Sequence, residues 1–233
     1  MAEFLKVYFP SPLYPVGPNA QDIYNLFLFI TVFALIVFIG VAGAVVYAAF
    51  RFRAKPGDPE PRQVQGNNAL ETAWTIIPFV ILAVIFVASM KTFVLNLNPP
   101  ASVVAAGGTT NVQVVGRQWF WQFHYVGTSV TTTKTLTVPA GSVVKLSITS
   151  ADVIHSFAVP QLLGRLDAIP GQVNYTWFIA DRSGTWVGQC TEFCGVGHYT
   201  MLIRVTALPP GQFQAWLAAQ EAAASKAGTG SSG

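Results

Sequence analysis

Two uncharged runs constrain this chain more than anything else in it. Between Asp22 and Arg51 lie 28 residues without a charge, Ile23 to Phe50. As an α-helix they would measure about 42 Å, more than the ~30 Å hydrocarbon core of a bilayer. The buried helix of a soluble protein rarely runs so long without a charge. Between Glu71 and Lys91 lie 19 more, Thr72 to Met90, about 28 Å of helix and enough to span. A membrane hairpin is therefore expected over 23–98, with helices at about 23–50 and 72–96. Composition agrees: charged residues are 10% of the 233, against ~25% in a typical soluble domain.

The joining loop, 51–71, holds Arg51, Arg53, Lys55 and Arg62, whereas the outer flanks hold Lys6 and Lys91. The positive-inside rule puts such a loop in the cytoplasm or matrix and both termini outside. Residues 1–22 carry Pro10, Pro12, Pro15 and Pro18, a density that predicts an irregular tail. The tail lacks the basic start and short apolar core of a secretory signal. Gly40 to Ala44 is a small-residue run that would let a neighbouring helix approach closely.

After Pro99-Pro100 the texture changes. Asn111–Val115, Gln118–Val126, Lys134–Val138, Val143–Thr149, Val173–Ile179, Thr185–Val187 and Leu202–Val205 are short β-rich runs separated by Gly, Pro and Ser. That spacing predicts an all-β sandwich or barrel over 101–208. Pro209-Pro210-Gly211 opens a helix expected over 209–225, and 226–233 reads as a flexible tail. Residues 101–233 hold seven Lys/Arg against five Asp/Glu, a net +2. With no basic run, a nucleic-acid partner is not expected. No Walker loop, GxGxxG after a strand or GxSxG elbow occurs. Without Cys-x-x-Cys-His, no covalently attached haem is expected.

The chemistry is concentrated in Cys190-Thr191-Glu192-Phe193-Cys194-Gly195-Val196-Gly197-His198-Tyr199-Thr200-Met201. Both cysteines lie there, with His198 and Met201. His155 lies 35 residues upstream of Cys190, in Asp152-Val153-Ile154-His155-Ser156-Phe157. A disulfide is the simplest reading of two cysteines in an oxidising compartment, but it requires neither His198 nor Met201. Zinc takes Cys and His without thioether. Two thiols, imidazole and thioether are a soft set suited to copper. A mononuclear blue-copper site uses one Cys, so this chain has one too many. Two thiolates can instead bridge two copper ions, each with one histidine, and Met201 and a backbone carbonyl can act as weak axial ligands. The ligand segments are expected on two loops of the β-barrel, with Gly188, Gly195 and Gly197 closing the backbone around the metals.

These residues resemble the dinuclear copper (CuA) centre of cytochrome c oxidase subunit II. The likeness extends through Glu71-Thr72-Ala73-Trp74-Thr75-Ile76-Ile77-Pro78, Arg117-Gln118-Trp119-Phe120-Trp121 and Leu163-Gly164-Arg165-Leu166-Asp167-Ala168-Ile169-Pro170-Gly171. It implies a two-helix transmembrane hairpin, then an all-β cupredoxin-like (Greek-key) barrel with a short C-terminal helix. Cys190 and Cys194 would bridge the coppers, His155 and His198 would each bind one, Met201 would be a weak ligand and Glu192 would bind through its carbonyl. The Glu192 carboxylate would help hold a magnesium ion shared with subunit I. Trp119 would be where electrons enter, and Glu71 the mouth of a proton pathway. The resemblance implies the electron-transfer subunit of a proton-translocating terminal haem-copper oxidase in the cell inner (plasma) membrane. Its copper domain would be periplasmic, its donor cytochrome c or a blue copper protein, and its partners subunits I and III and membrane lipids. Haem and oxygen reduction would belong to subunit I.

Two departures stand out. Gln122 to Thr131 contains no carboxylate, where the family carries acidic residues that dock a basic cytochrome. Strong electrostatic steering of a cationic donor is therefore not expected. Gln172 replaces an arginine common after Pro-Gly. His124 has no assigned role and reads as a surface strand residue. Competing classes are a copper-free quinol oxidase subunit II and a stand-alone membrane-anchored copper carrier or chaperone. The intact ligand set argues against the first, and Glu71 and Trp74 against the second.

Overall fold

The computed structural model describes residues 13–57, 59–60, 63, 65–133 and 135–229. The chain divides into two compact units, Asn25–Thr92 and Met1–Tyr24 with Phe93–Gly233.

Helix α1 runs Pro18–Arg51 and α2 runs Asn68–Leu97. The apolar windows of both are fully unburied, and among the described residues only these two helices are long and apolar enough to cross a membrane. Both are longer than expected, because the first and last turns of a spanning helix need not be apolar. The helix expected at 23–50 begins at Pro18. Proline is tolerated in a first turn, where its missing N–H has no intrahelical partner. The tail expected as irregular over 1–22 is thus helical from Pro18, and residues 1–12 lie outside the described ones. The helix expected at 72–96 begins at Asn68. Asn67 Oδ1 accepts the N–H groups of Ala69 at 3.1 Å and Leu70 at 3.2 Å, while Glu71 Oε1 accepts the Asn67 N–H at 3.1 Å. This reciprocal cap satisfies donors that the first turn leaves open. It also shortens the expected loop 51–71 by four residues; of its four cations, Arg62 lies outside the described residues.

Helix α3, Ala101–Gly107, follows the second span and was not expected. Then come ten strands: β1 Thr109–Arg117, β2 Phe120–Tyr125, β3 Thr131–Thr132, β4 Leu136–Pro139, β5 Val143–Ser150, β6 His155–Val159, β7 Leu163–Ala168, β8 Asn174–Ile179, β9 Gly184–Cys190 and β10 Leu202–Leu208. They form two five-stranded sheets, β3-β2-β1-β5-β8 and β4-β10-β9-β6-β7. Pairs β1–β5 and β4–β10 are parallel. This is the expected all-β, cupredoxin-like domain. Alternation places Val112 and Val114 of β1, and Trp121, Phe123 and Tyr125 of β2, in the space between the sheets. Phe157, Phe178, Ile203 and Val205 meet them there. Burying each such side chain contributes about 1.5–3 kcal/mol.

Strand β6 corrects the expectation of a loop at His155, and β7 falls outside the expected β-rich runs. His155 opens a strand rather than sitting on a loop, and the segment from Leu163 pairs with it as a hairpin. All five residues of β6 are buried, so its sequence lacks the two-residue alternation that marks a half-exposed strand. Helix α4 runs Pro210–Thr229 rather than 209–225, extended by good helix formers. Phe213, Trp216 and Leu217 pack on the core. Residues 226–229, expected as flexible tail, are helical; 230–233 lie outside the described residues.

Candidate metal centre

The site lies at the β6 and β9 ends of one sheet. Phe157 of β6 pairs with Cys190, the last residue of β9, which brings His155 beside the loop that follows. The Cys190 N–H donates to Met201 O at 3.0 Å, and the Thr191 N–H donates to Ser156 O at 3.1 Å. The 190–201 segment is thus closed into a loop and tied to β6. Gly195, at φ +116°, makes a turn that L side chains rarely adopt, and its carbonyl accepts the His198 N–H at 3.0 Å.

Five soft or nitrogen donors and a carbonyl converge. One ligand atom each from His155, Cys190 and Cys194 lie within 4.8 Å of one another. His155 Nδ1 is 3.9 Å from Cys190 Sγ, and His198 Nδ1 is 3.6 Å from Cys194 Sγ. Met201 Sδ is 3.8 Å from Cys194 Sγ, and the Cys190 thiol donates to Glu192 O at 3.3 Å. Both cysteines are unbridged thiols. His155, Cys190, Cys194 and Met201 are all buried. Burial, reinforced by neighbouring Cys190, pushes the Cys194 thiol up to about 11. Thiols bind metal as thiolates, so loading this pair releases protons.

Around the donors lies a supporting shell of which sequence reasoning singled out Trp119 but not Asp152 or the role of Gln118. Asp152 Oδ1 is 2.8 Å from His155 Nε2, and Oδ2 accepts the Gln118 N–H at 2.7 Å. This contact fixes the ring so that Nδ1 is the nitrogen on the Cys190 side, the usual arrangement of a carboxylate behind a ligating histidine. Burial raises the Asp152 carboxyl, but hydrogen bonds with His155 and the N–H groups of Gln118 and Val153 outweigh it and hold the group below the usual carboxylate range. The sequence signal was present: an acid three residues before a histidine. Gln118 Nε2 and Trp119 Nε1 both donate to Cys194 O, at 2.7 and 3.2 Å. The Trp119 indole lies flat on Gly197, where an added Cβ would stand 2.5 Å from Cγ and 2.8 Å from Cε3. One edge stays in solvent, since Trp119 is 37% exposed.

Other expected site residues sit as follows. The Glu192 carboxylate is 3.5 Å from Arg165 Nη2, which also donates to Asp167 at 3.1 Å; exposed pairs of this kind are worth about 0–1 kcal/mol. Glu71 caps its own helix in the other compact unit. His124 lies on β2, its Nδ1 3.1 Å from Thr131 Oγ1. Gln172 donates to Asn174 Oδ1 at 2.8 Å.

Comparison with known proteins gives the family. The transmembrane domain of cytochrome c oxidase subunit II matches residues 14–92, and its periplasmic domain matches residues 127–208. Probable cytochrome c oxidase subunit 2 of Rickettsia conorii is 31% identical over 236 aligned residues, covering 92% of this chain and 72% of that one. The chain belongs to the cytochrome c oxidase subunit II family. It is thus a membrane protein with two spanning-type helices and a periplasmic-type domain. A second subunit 2, from Alkalihalophilus pseudofirmus, is 38% identical over 215 residues, 89% of this chain but 61% of that one. The periplasmic domain of subunit II from Bradyrhizobium japonicum is 31% identical over 48% of this chain and 92% of the solved one, at a TM-score of 0.47.

Proposed function

We propose that this subunit II chain is the electron-transfer subunit of a terminal haem-copper oxidase. It would take electrons from a periplasmic donor, cytochrome c or another small carrier, and pass them to haem in subunit I for reduction of oxygen to water. The observation that carries this is the convergence of two unbridged buried thiols, two imidazole nitrogens, a thioether and the Glu192 carbonyl. That donor set fits a pair of copper ions better than zinc or one blue copper, for which a cysteine is surplus. The residues that would hold the copper are Cys190, Cys194, His155, His198 and Met201, with the Glu192 carbonyl. Copper bound there would supply one-electron redox chemistry. The intact, clustered set favours this over a copper-free quinol oxidase subunit.

The chain's own residues do the rest. Asp152 orients His155, and burial of the thiols excludes water. Gln118 and Trp119 hold the Cys194 carbonyl and join the copper loop to a solvent-exposed indole. Trp119 is therefore assigned as the place where electrons enter. The Glu192 carboxylate would share a magnesium ion with subunit I, exchanging its Arg165 contact for the cation. Glu71, in the first turn of α2, would stand at a proton-pathway mouth on the cytoplasmic side. Subunits I and III are the expected partners, in the cell inner (plasma) membrane with both termini outside. The test is copper content of the full chain purified in detergent. Two coppers per chain are expected, and Cys190→Ser should lower that number. One copper, or retention of zinc in preference, would overturn the assignment.

A further inference from the structure

A cleft of about 400 Å³ opens on the sheet β3-β2-β1-β5-β8, where the chain leaving α2 crosses it. Its walls come from Leu97 and Asn98 at the end of the helix, Asn111 of β1, Lys145 and Ser147 of β5, and Tyr175 of β8. The wall is held in place: Trp177 Nε1, beside Lys145 in the sheet register, donates to Asn96 O at 3.1 Å. Trp177 itself is buried with Val143 and Ile179 against Val104 of α3.

Lys145 forms no ion pair among the described residues. A lysine on an open strand face is ordinarily solvated and needs no partner. This one instead shares a cleft with two side-chain amides and two hydroxyls, all hydrogen-bond donors. The cleft is also amphipathic. Leu97 is 50% exposed and Tyr175 76% exposed, so apolar and aromatic surface flanks the cation. Its place along the chain matters most. Leu97 is the last residue of a spanning helix of 30 residues, about 45 Å long, so it ends beyond the ~30 Å hydrocarbon, at headgroup level. Tyrosine and tryptophan concentrate at that level.

We propose that this cleft is a headgroup site for an anionic phospholipid of the outer leaflet, with Lys145 contacting the phosphate. Asn98, Asn111, Ser147 and Tyr175 donate to the remaining oxygens, and Leu97 and the Tyr175 ring meet the glycerol and upper acyl chain. The site is independent of the copper loop and of the oxidase reading.

The test is intact-mass spectrometry of the full chain in neutral detergent, titrated with dioleoylphosphatidylglycerol or dioleoylphosphatidylcholine. One lysine beside an anionic headgroup predicts about a five-fold preference for the phosphatidylglycerol. K145Q should abolish the preference, K145R should keep it, and R204Q, an exposed cation on the other sheet, should leave it unchanged. Equal binding of the two lipids, or a preference surviving in K145Q, would overturn the proposal. So would displacement of phosphatidylglycerol by millimolar inorganic phosphate, which would make this a free-anion site. In the assembled oxidase, phosphatidylglycerol should co-purify with the parent and be depleted in K145Q. A cleft closed by a partner subunit would give no difference and would also overturn it.

Discussion

Gly116→Ala should disable the metal centre without touching a ligand. Gly116 lies in β1, paired with Trp121 and with Ser150. A Cβ there would stand 2.8 Å from His155 Cδ2, 3.1 Å from Cγ and 3.3 Å from Cβ. Carbon atoms in contact prefer about 3.5–4.0 Å, so the methyl is short of room by roughly 0.7 Å. The imidazole has nowhere to retreat. His155 is 0% exposed, Trp121 meets its ring edge-on at a centroid distance of 5.9 Å, and Asp152 holds Nε2. Overpacking of this kind costs about 1–3 kcal/mol. A shift of roughly 0.7 Å also exceeds the ~0.5 Å within which a site's geometry must be held. The full chain carrying Gly116→Ala should therefore melt at lower temperature and lose copper to a competing chelator about tenfold more readily. Gly211→Ala, whose Cβ would meet nothing within 4 Å, is the control and should match the parent within about 0.5 kcal/mol. If Gly116→Ala melts and holds copper like the parent, the packing account of His155 is wrong.

Asp152→Asn replaces one acceptor oxygen with a donor while the Gln118 N–H and His155 Nε2 both still need acceptors; chelator competition should show copper affinity about 10–100-fold weaker, and unchanged affinity would contradict the positioning role. Because Gln122 to Thr131 contains no carboxylate, oxidation of a basic cytochrome c by the assembled complex should vary only about threefold between about 20 and about 200 mM salt; a steep fall would reveal an acidic docking surface elsewhere. Leu82→Arg, at the middle of α2 on an exposed side chain, should cost about 2.5–3.5 kcal/mol of insertion. Unaltered resistance to alkaline extraction from membranes would argue that α2 does not span.

The apolar spans and the clustered Cys, His and Met side chains were legible in the sequence for complementary reasons. Nineteen uncharged residues admit few structures, and two cysteines, a histidine and a methionine within twelve residues admit few ligands. What surrounds them was not legible. The apolar run marks where lipid begins, not where the helix does, so the Asn67–Glu71 cap and the turn at Pro18 fell outside it. Strand β6 is buried throughout, which erases the alternation that would have placed His155 on a strand. Asp152 and Gln118 matter because the turn after β1 and the turn before β6 meet in space, 34 residues apart, a contact no local pattern encodes. Gly116 looks like an ordinary strand glycine until His155 is seen lying against it, and Gly197, expected only to close the loop, turns out to carry the Trp119 ring.

The central claim, that Cys190 and Cys194 join two copper ions into one redox unit, is tested most directly by electron paramagnetic resonance of the oxidised full chain loaded with copper. The account predicts one unpaired electron shared equally by two copper nuclei, lost in Cys190→Ser. A spectrum of one isolated copper, or of two independent ones, would contradict it.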